Sequence, residues 1–531
     1  KIQKAIIKNY KIFKNFEISF NEDINIIIGN NETGKTTLLE ALHLALTCQI
    51  NNRNLKYELS PYFFNKDTVN QYINSLQTKQ NTPLPEIKIE IFFHESDQLK
   101  DGIFAGRNNS LLEDAYGLSL TISFDPEFQQ AYSEYIADPA KVKNIPIEYY
   151  EVKWYTFSNA PFKFTQLPFR SLFLTNVETK YLNAADRHIS DILDTYLVDK
   201  ENASLSLMYR KLKESFGDEE SIKKINEKLG ETGSSITDKK LALSVDISTK
   251  NTWETNLTLY LDNIPFKYIG KGEQNAIKTK LAIQNNLEKT SIVMIEEPET
   301  SLSFGNMNKL LKNIEESCKG KQIFITTHSS FIMNKIGVGK AIFIHNNVSL
   351  SMSDIEEETQ KYFKKLPGYD TLRMVLSKKC ILVEGPSDEL IVQRAYLDKN
   401  GKLPIQDGID VLSVSLGFKR FLEIAKKLQK PIVVVTDNDR DINALKTKYK
   451  DYFSDTHIKI CYSTDSTLNT LEPNLVANNE LSVINTVLGQ SFADKQTLSN
   501  YMLKHKTACA LAIFESPTKI TMPEYILDAI K

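Results

Sequence analysis

Two sets of residues in this chain have the types and spacings that phosphate chemistry needs. Gly29-Asn30-Asn31-Glu32-Thr33-Gly34-Lys35-Thr36-Thr37 follows the run Ile24-Asn25-Ile26-Ile27-Ile28 and precedes Leu38, Leu39, Ala41, Leu42, Leu44 and Leu46. A glycine-rich loop between a buried strand and a helix lets backbone N–H groups curl around phosphate, while Lys35 reaches the terminal phosphates and Thr36 offers its hydroxyl to Mg2+. ATP is the expected ligand. The second set is acidic. Glu384-Gly385 follows Cys380-Ile381-Leu382-Val383, Asp437-Asn438-Asp439 follows Ile432-Val433-Val434-Val435, and Glu472 lies in a later loop. Acids converging on the carboxyl edge of one parallel sheet repel each other unless cations lie between them, and hard oxygen ligands select Mg2+ or Mn2+. Such a site suits in-line phosphodiester hydrolysis, with Lys506 as the candidate cation for transition-state charge.

Three further stations fit the nucleotide loop. Ile292-Val293-Met294-Ile295 runs into Glu296-Glu297, where Glu296 is expected to orient Mg2+ and Glu297 to polarise the attacking water. His328 follows the strand Gln322 to Thr326 and is placed to sense a terminal phosphate. Gly270, Gly272 and Gln274 open a helix with flexible backbone and a polar side chain.

The elements that must carry these residues alternate between strand and helix, so the expected class is α/β with a second α/β unit behind the first. Residues 1–182 and 236–350 read as the two parts of the nucleotide-binding domain, interrupted by a charged helical insert at 183–235 that reads as a protein contact. Strands are expected at Glu86 to Phe93, Gly117 to Phe124, Leu241 to Ile247 and Asn256 to Leu261. Residues 351–371 read as a soft connector, and 372–531 as the carboxylate domain.

A length of 531 residues suits two or three cores. The longest apolar runs fall well short of a membrane span, and the charged N-terminus has no secretory pattern, so a cytoplasmic address without membrane contact is expected. Five scattered cysteines with no C-x-x-C pair read as plain thiols, not as disulfides or a zinc site. The net charge of −2 excludes wholesale coating of nucleic acid, so any DNA surface must be a local patch.

In this order the four nucleotide stations resemble the ABC-type ATPase heads of the SMC and Rad50 group. Gly270, Gly272 and Gln274 match the signature loop, Glu299 to Leu302 the D-loop and His328 the switch histidine. The resemblance implies a nucleotide sandwiched between two heads and hence a dimer. Lys271 departs from the small residue usual in that signature, no glutamine loop stands out, and no sustained heptads mark a coiled-coil arm. Glu384 with Asp437 and Asp439 resembles the Toprim pattern of certain topoisomerases, primases and nucleases. An ABC head with a helical insert followed by Toprim resembles the OLD (overcoming lysogenization defect) nuclease family over nearly the whole chain. Within that pattern Asp388 and Glu472 match further metal ligands, and Lys506 a C-terminal lysine near the site. The resemblance implies an ATP-regulated DNA endonuclease, a dimerising insert giving a homodimer or higher even-numbered oligomer, a helicase or effector encoded elsewhere, and a role in phage defence. The alternative is a nucleotide-switched interaction ATPase whose Toprim domain is inert.

Overall fold

The computed structural model describes residues 1–30, 32–50, 53–78, 82–96, 99, 102–163, 166–174, 199–233, 243, 260–274, 277, 290–300, 302–365 and 369–531. Two compact units are present: Lys1–Ser171 with Gln322–Lys531, and Leu172–Lys321.

The first unit begins with a hairpin of β1 (Ile2–Tyr10) and β2 (Phe13–Ser19), followed by β3 (Ile24–Gly29) and α1 (Lys35–Thr47). β4 (Ile87–Phe93), β5 (Ala115–Phe124) and β6 (Tyr150–Thr156) extend the hairpin into an antiparallel sheet in the order β2-β1-β4-β5-β6. β3 belongs to a different sheet. It lies between β7 (Gln322–Thr327) and β8 (Ala341–His345), parallel to both, and β9 (Val348–Ser351) pairs antiparallel with β8. Strands flanked on both sides and covered on both faces read as unbroken apolar runs, and Ile26, Ile27, Ile28, Ile342, Phe343 and Ile344 are all buried. The register sets Thr327 beside Ile28, so His328 and the loop from Gly29 leave the sheet at the same carboxyl edge.

Farther along the same unit come α2 (Tyr369–Leu376), β10 (Lys379–Val383), α3 (Pro386–Asn400), β11 (Ile409–Ser413), β12 (Ile432–Val435) and β13 (Ile458–Cys461), then α4 (Leu471–Ala477) and α5 (Lys506–Glu515). The four strands form an all-parallel sheet in the order β11-β10-β12-β13. Successive residues of β10 point to opposite faces. Ile381 and Val383 join Ile391, Val433, Leu475 and Ile513 in one core. Cys380 and Leu382 join Phe421, Val434 and, from the β3 sheet, Ile26, Ile28 and Phe343 in another. The strand that launches the glycine loop and the strand that leads into Glu384 therefore share one apolar core.

The stretch expected as a soft connector is packed. It contains the helix Glu357–Lys365 and the start of α2, and buried Phe363 meets Phe421 edge to face at 5.1 Å between ring centroids. Glu357 and Glu358 lie on the exposed side of this amphipathic helix, and burial of the opposite face orders it.

The second unit holds the helices Asp199–Asp218 and Glu220–Gly233, the strand Thr290–Glu296 and the helix Phe304–Ser317. Of the strands expected at 241–247 and 256–261, all but Leu243 and Tyr260–Leu261 lies outside the described residues. Among the described residues no helix is long and apolar enough to cross a membrane. The five cysteines are free thiols, and all but Cys48 are buried.

Candidate functional site

Each acidic residue owes its place to a strand end or a helix start. Glu384 is the first residue beyond β10, and Thr436 and Asp437 follow β12 on the neighbouring strand. The Thr436 hydroxyl donates to Glu384 Oε1 at 2.7 Å and the Asp437 amide donates to the same oxygen at 2.9 Å, fastening the two strand ends together. Gly385 caps α3, Pro386 fills the first helical position where a missing N–H costs nothing, and the Gly385 amide donates to Asp388 Oδ2 at 3.0 Å. Asn438 is a structural pin: its buried amide donates to the carbonyls of Ser463 and Asp465, each at 2.8 Å. Glu472, in the first turn of α4, is 3% exposed; its Oε2 accepts from the Thr470 hydroxyl at 3.2 Å and lies 3.5 Å from Lys506 Nζ.

The electrostatics tie these groups together. Burial, then the charges of Glu384, Asp388 and Glu472, push the Asp437 carboxyl up to about 8, against a lowering pull from Lys506. Burial and the charge of Glu384 push Asp388 up to about 6, with the Gly385 amide and Lys506 opposing. Glu384, Asp388, Asp437, Glu472 and Lys506 thus form one interacting cluster. Asp439 is exposed, in left-handed backbone with φ 48°. Among the described residues no three His, Cys, Asp or Glu side chains are set around a common metal point. The donor types nevertheless suit a divalent cation: several hard carboxylates share a buried edge with a single lysine, and burial first, then their mutual repulsion, raises the two aspartates.

The raised values have a stability consequence. Asp437 and Asp388 hold their protons in the folded chain above the ordinary 3.8, so the unfolded chain ionises first. Their contribution is fully present below about pH 4 and is lost as pH rises through about 6 and then about 8. In EDTA, the urea midpoint is expected to fall across that window, and to fall less in Asp437→Asn. Identical pH slopes for the two proteins would contradict the raised carboxyl.

The glycine loop is equally constrained. A Cβ on Gly29 would sit 2.4 Å from Thr33 Oγ1 and 2.8 Å from the Ile344 carbonyl. Gly34 has φ 93°, and a Cβ there would lie 2.6 Å from the Phe13 ring. Buried Lys35 donates to the Gly29 and Asn30 carbonyls, each at 3.0 Å, which draws the loop into a ring at the start of α1. Thr36 is exposed and Thr37 half-buried in the first turn, and Asn31 lies outside the described residues. This cradle fits a phosphate chain. His328, also of the first unit, lies just past β7.

The remaining nucleotide residues belong to the second unit. Glu296 ends its strand buried, and Glu297 follows at φ 40°. Gly270 precedes a helical turn holding Gly272 and Gln274, and the Gln274 side chain donates to the Ile269 carbonyl at 2.8 Å.

Sequence reasoning passed over Thr436, whose hydroxyl holds Glu384, and Asn438, read only as the middle of an acidic triplet. A position one residue past a strand end was the available signal for Thr436. It also missed Arg394, a buried arginine that gathers carbonyls at the end of α5. Nothing in a lone helical arginine marks it.

The family model for an AAA ATPase domain matches residues 1–333, and the model for an overcoming-lysogenization-defect-like TOPRIM domain matches residues 375–439. Endonuclease GajA of Bacillus cereus (strain HuB5-5) is 23% identical over 502 residues, covering 80% of this chain and 71% of that protein. An ATP/GTP phosphatase of Helicobacter pylori (strain ATCC 700392 / 26695) is 23% identical over 352 residues, covering 62% of this chain and 85% of its own length. A solved SMC head bound to the C-winged helix domain of ScpA covers 66% of this chain and 99% of that chain at 12% identity and a TM-score of 0.35; the fold assignment stands on the family models instead. The chain belongs to the AAA ATPase-domain family and carries, behind that domain, a TOPRIM domain of the overcoming-lysogenization-defect type, with distant homology to the GajA endonucleases.

Proposed function

We propose that this chain is an ATP-regulated, metal-dependent DNA endonuclease that makes nicks or double-strand breaks. The observation that carries the proposal is the gathering of Glu384, Asp388, Asp437, Glu472 and Lys506 into one electrostatic cluster at the carboxyl edge of a parallel sheet. Glu384, Asp388, Asp437 and Glu472 would hold Mg2+ or Mn2+, with Asp439 joining from its exposed turn. The chemistry such ions would supply there is hydroxide generated from water and neutralisation of the leaving oxygen. Thr436 and the Asp437 amide keep Glu384 in place, so its charge is oriented before substrate arrives. Lys506, about half exposed, offers positive charge to phosphodiester oxygens. The naming of distant relatives as endonucleases supports the same reading.

On the ATPase side, Gly29, Asn30, Asn31, Gly34, Lys35, Thr36 and Thr37 would cradle the nucleotide, Glu296 would hold its Mg2+, and Glu297 and His328 would serve hydrolysis. Gly270, Gly272 and Gln274 would meet the nucleotide of a second copy, which makes the working form a homodimer or higher even-numbered oligomer. A cytoplasmic role in phage defence, with or without a separate helicase or effector, is part of this reading.

The test is incubation of the purified chain with supercoiled DNA and Mg2+ or Mn2+, with and without ATP. Metal-dependent cleavage that EDTA and a site variant both abolish is expected. No cleavage under any metal leaves the nucleotide-switched interaction ATPase. For the loop, Gly34→Ala is expected to abolish binding of a fluorescent ATP analogue, because the methyl group meets Phe13 in backbone that only glycine adopts freely. Binding at unsubstituted strength would contradict the cradle.

A further inference from the structure

The first unit has an open cleft of about 420 Å³ whose lining does not include the carboxylate cluster. One side is formed by Asn30 of the glycine loop together with His328 and Ser330; the other comes from the TOPRIM side, through Arg373, Leu376, Lys378 and Asp410. The volume and the mix of apolar wall with a few polar groups suit part of a small ligand. The Asn30 carbonyl receives Lys35 Nζ at 3.0 Å, and His328 leaves the same sheet edge as the loop. That side of the cavity is therefore where the far end of a phosphate chain on the loop would emerge.

The opposite wall presents cations. Arg373 lies on α2 and is paired in a fork with Asp410, Nε to Oδ2 at 3.0 Å and Nη2 to Oδ1 at 2.6 Å. Lys378 packs its stem on Gly408. A phosphate presents the same paired-oxygen geometry as a carboxylate, so a guanidinium held in such a fork can exchange one for the other.

We propose that Arg373, assisted by Lys378, is a nucleotide-sensing residue supplied by the TOPRIM side: it takes the terminal phosphate of ATP held on the glycine loop and loosens its pairing with Asp410. The inference rests on the ATP-binding part of the proposed function. It also supplies a physical route to the carboxylates. Asp410 on β11 lies beside Cys380 on β10, and Glu384 is the first residue beyond β10. The carbonyls of Val375 and Ser377, at the end of α2, are held by the buried Lys430 ammonium, two residues before β12, which leads to Asp437. α2 is thus tied to β11, the neighbour of β10, and to the residue leading into β12.

The test is calorimetric titration of the full chain with ATP and with ADP in Mg2+, alongside thermal unfolding of each variant. Arg373→Ala is expected to bind ATP about tenfold more weakly, with ADP little changed. Asp410→Asn, which keeps the shape and releases the arginine from its counter-charge, is expected to bind ATP more tightly. A purely structural ion pair would make the two variants behave alike. Equal ATP affinities for Arg373→Ala and the unsubstituted chain, or weaker ATP binding by Asp410→Asn, overturn the proposal. Should Arg373→Ala fail to fold, Asp410→Asn decides alone: tighter ATP supports the sensor, and unchanged or weaker ATP refutes it. Lys35→Ala, expected to lose ATP and ADP together, separates the loop from the sensor. If the unsubstituted chain binds no ATP, the loop reading fails and takes this inference with it.

Discussion

Replacing Glu384 with glutamine is expected to lower metal-dependent plasmid cleavage by at least about 100-fold while leaving ATP binding and folding intact. The reason lies in the two roles of one carboxylate. Its Oε1 accepts from the Thr436 hydroxyl and the Asp437 amide, and glutamine retains an oxygen for those bonds. Its charge acts on Asp388 and Asp437, and glutamine removes that charge. A scaffold role predicts that Gln behaves as the native residue and only Ala fails; a metal-holding role predicts that both fail. Asp437→Ala is expected to fail in the same way. Native cleavage rates in both Glu384→Gln and Asp437→Ala, with contaminating nuclease excluded, would remove these carboxylates from the chemistry.

The largest stability effect is expected at Arg394. Its side chain is 5% exposed, yet it donates to the carbonyls of Ile513 at 2.9 Å, Phe514 at 2.8 Å and Ser516, reaches Thr518 at 3.3 Å, and pairs with Asp398 at 3.0 Å. Those carbonyls lie at and just beyond the end of α5, the helix that begins with Lys506. Arg394 itself lies on α3, the helix that carries Asp388. One guanidinium therefore fixes the spacing of two helices that contribute to the cluster. Arg394→Met leaves several buried carbonyls and Asp398 without their donor and is expected to cost about 3–5 kcal/mol. Arg394→Lys is expected to recover only part, since an ammonium cannot span the same fan of acceptors. Urea unfolding measures both; a change under about 1 kcal/mol for Arg394→Met would show that the carbonyls find other partners.

Much of the fold was legible because its signals are local. The run Ile24 to Ile28 before a glycine loop, and the run Ile432 to Val435 before an acid, declare buried parallel strands whose ends lie at one edge. The connector was less legible. Its acidic residues suggested a loose linker, but Phe363 draws the helix Glu357–Lys365 onto Phe421, and that contact is made between residues far apart in the chain. The same holds for the triplet Asp437-Asn438-Asp439. Composition makes its members look alike, whereas folding turns Asp437 toward Glu384, buries Asn438 as a pin and leaves Asp439 on the surface.

By itself, then, the amino-acid order determined which residue types stand at strand ends: backbone periodicity and glycine geometry act over a few residues and can be read directly. Tertiary structure alone decided which acids share a charge environment, which amides hold them, and that Arg373 and Asp410 border the same cavity as Asn30 and His328. Those outcomes depend on distances between residues that are mostly tens to hundreds of positions apart, set by how the helices and sheets pack, and desolvation and Coulomb energies follow such distances, not sequence order.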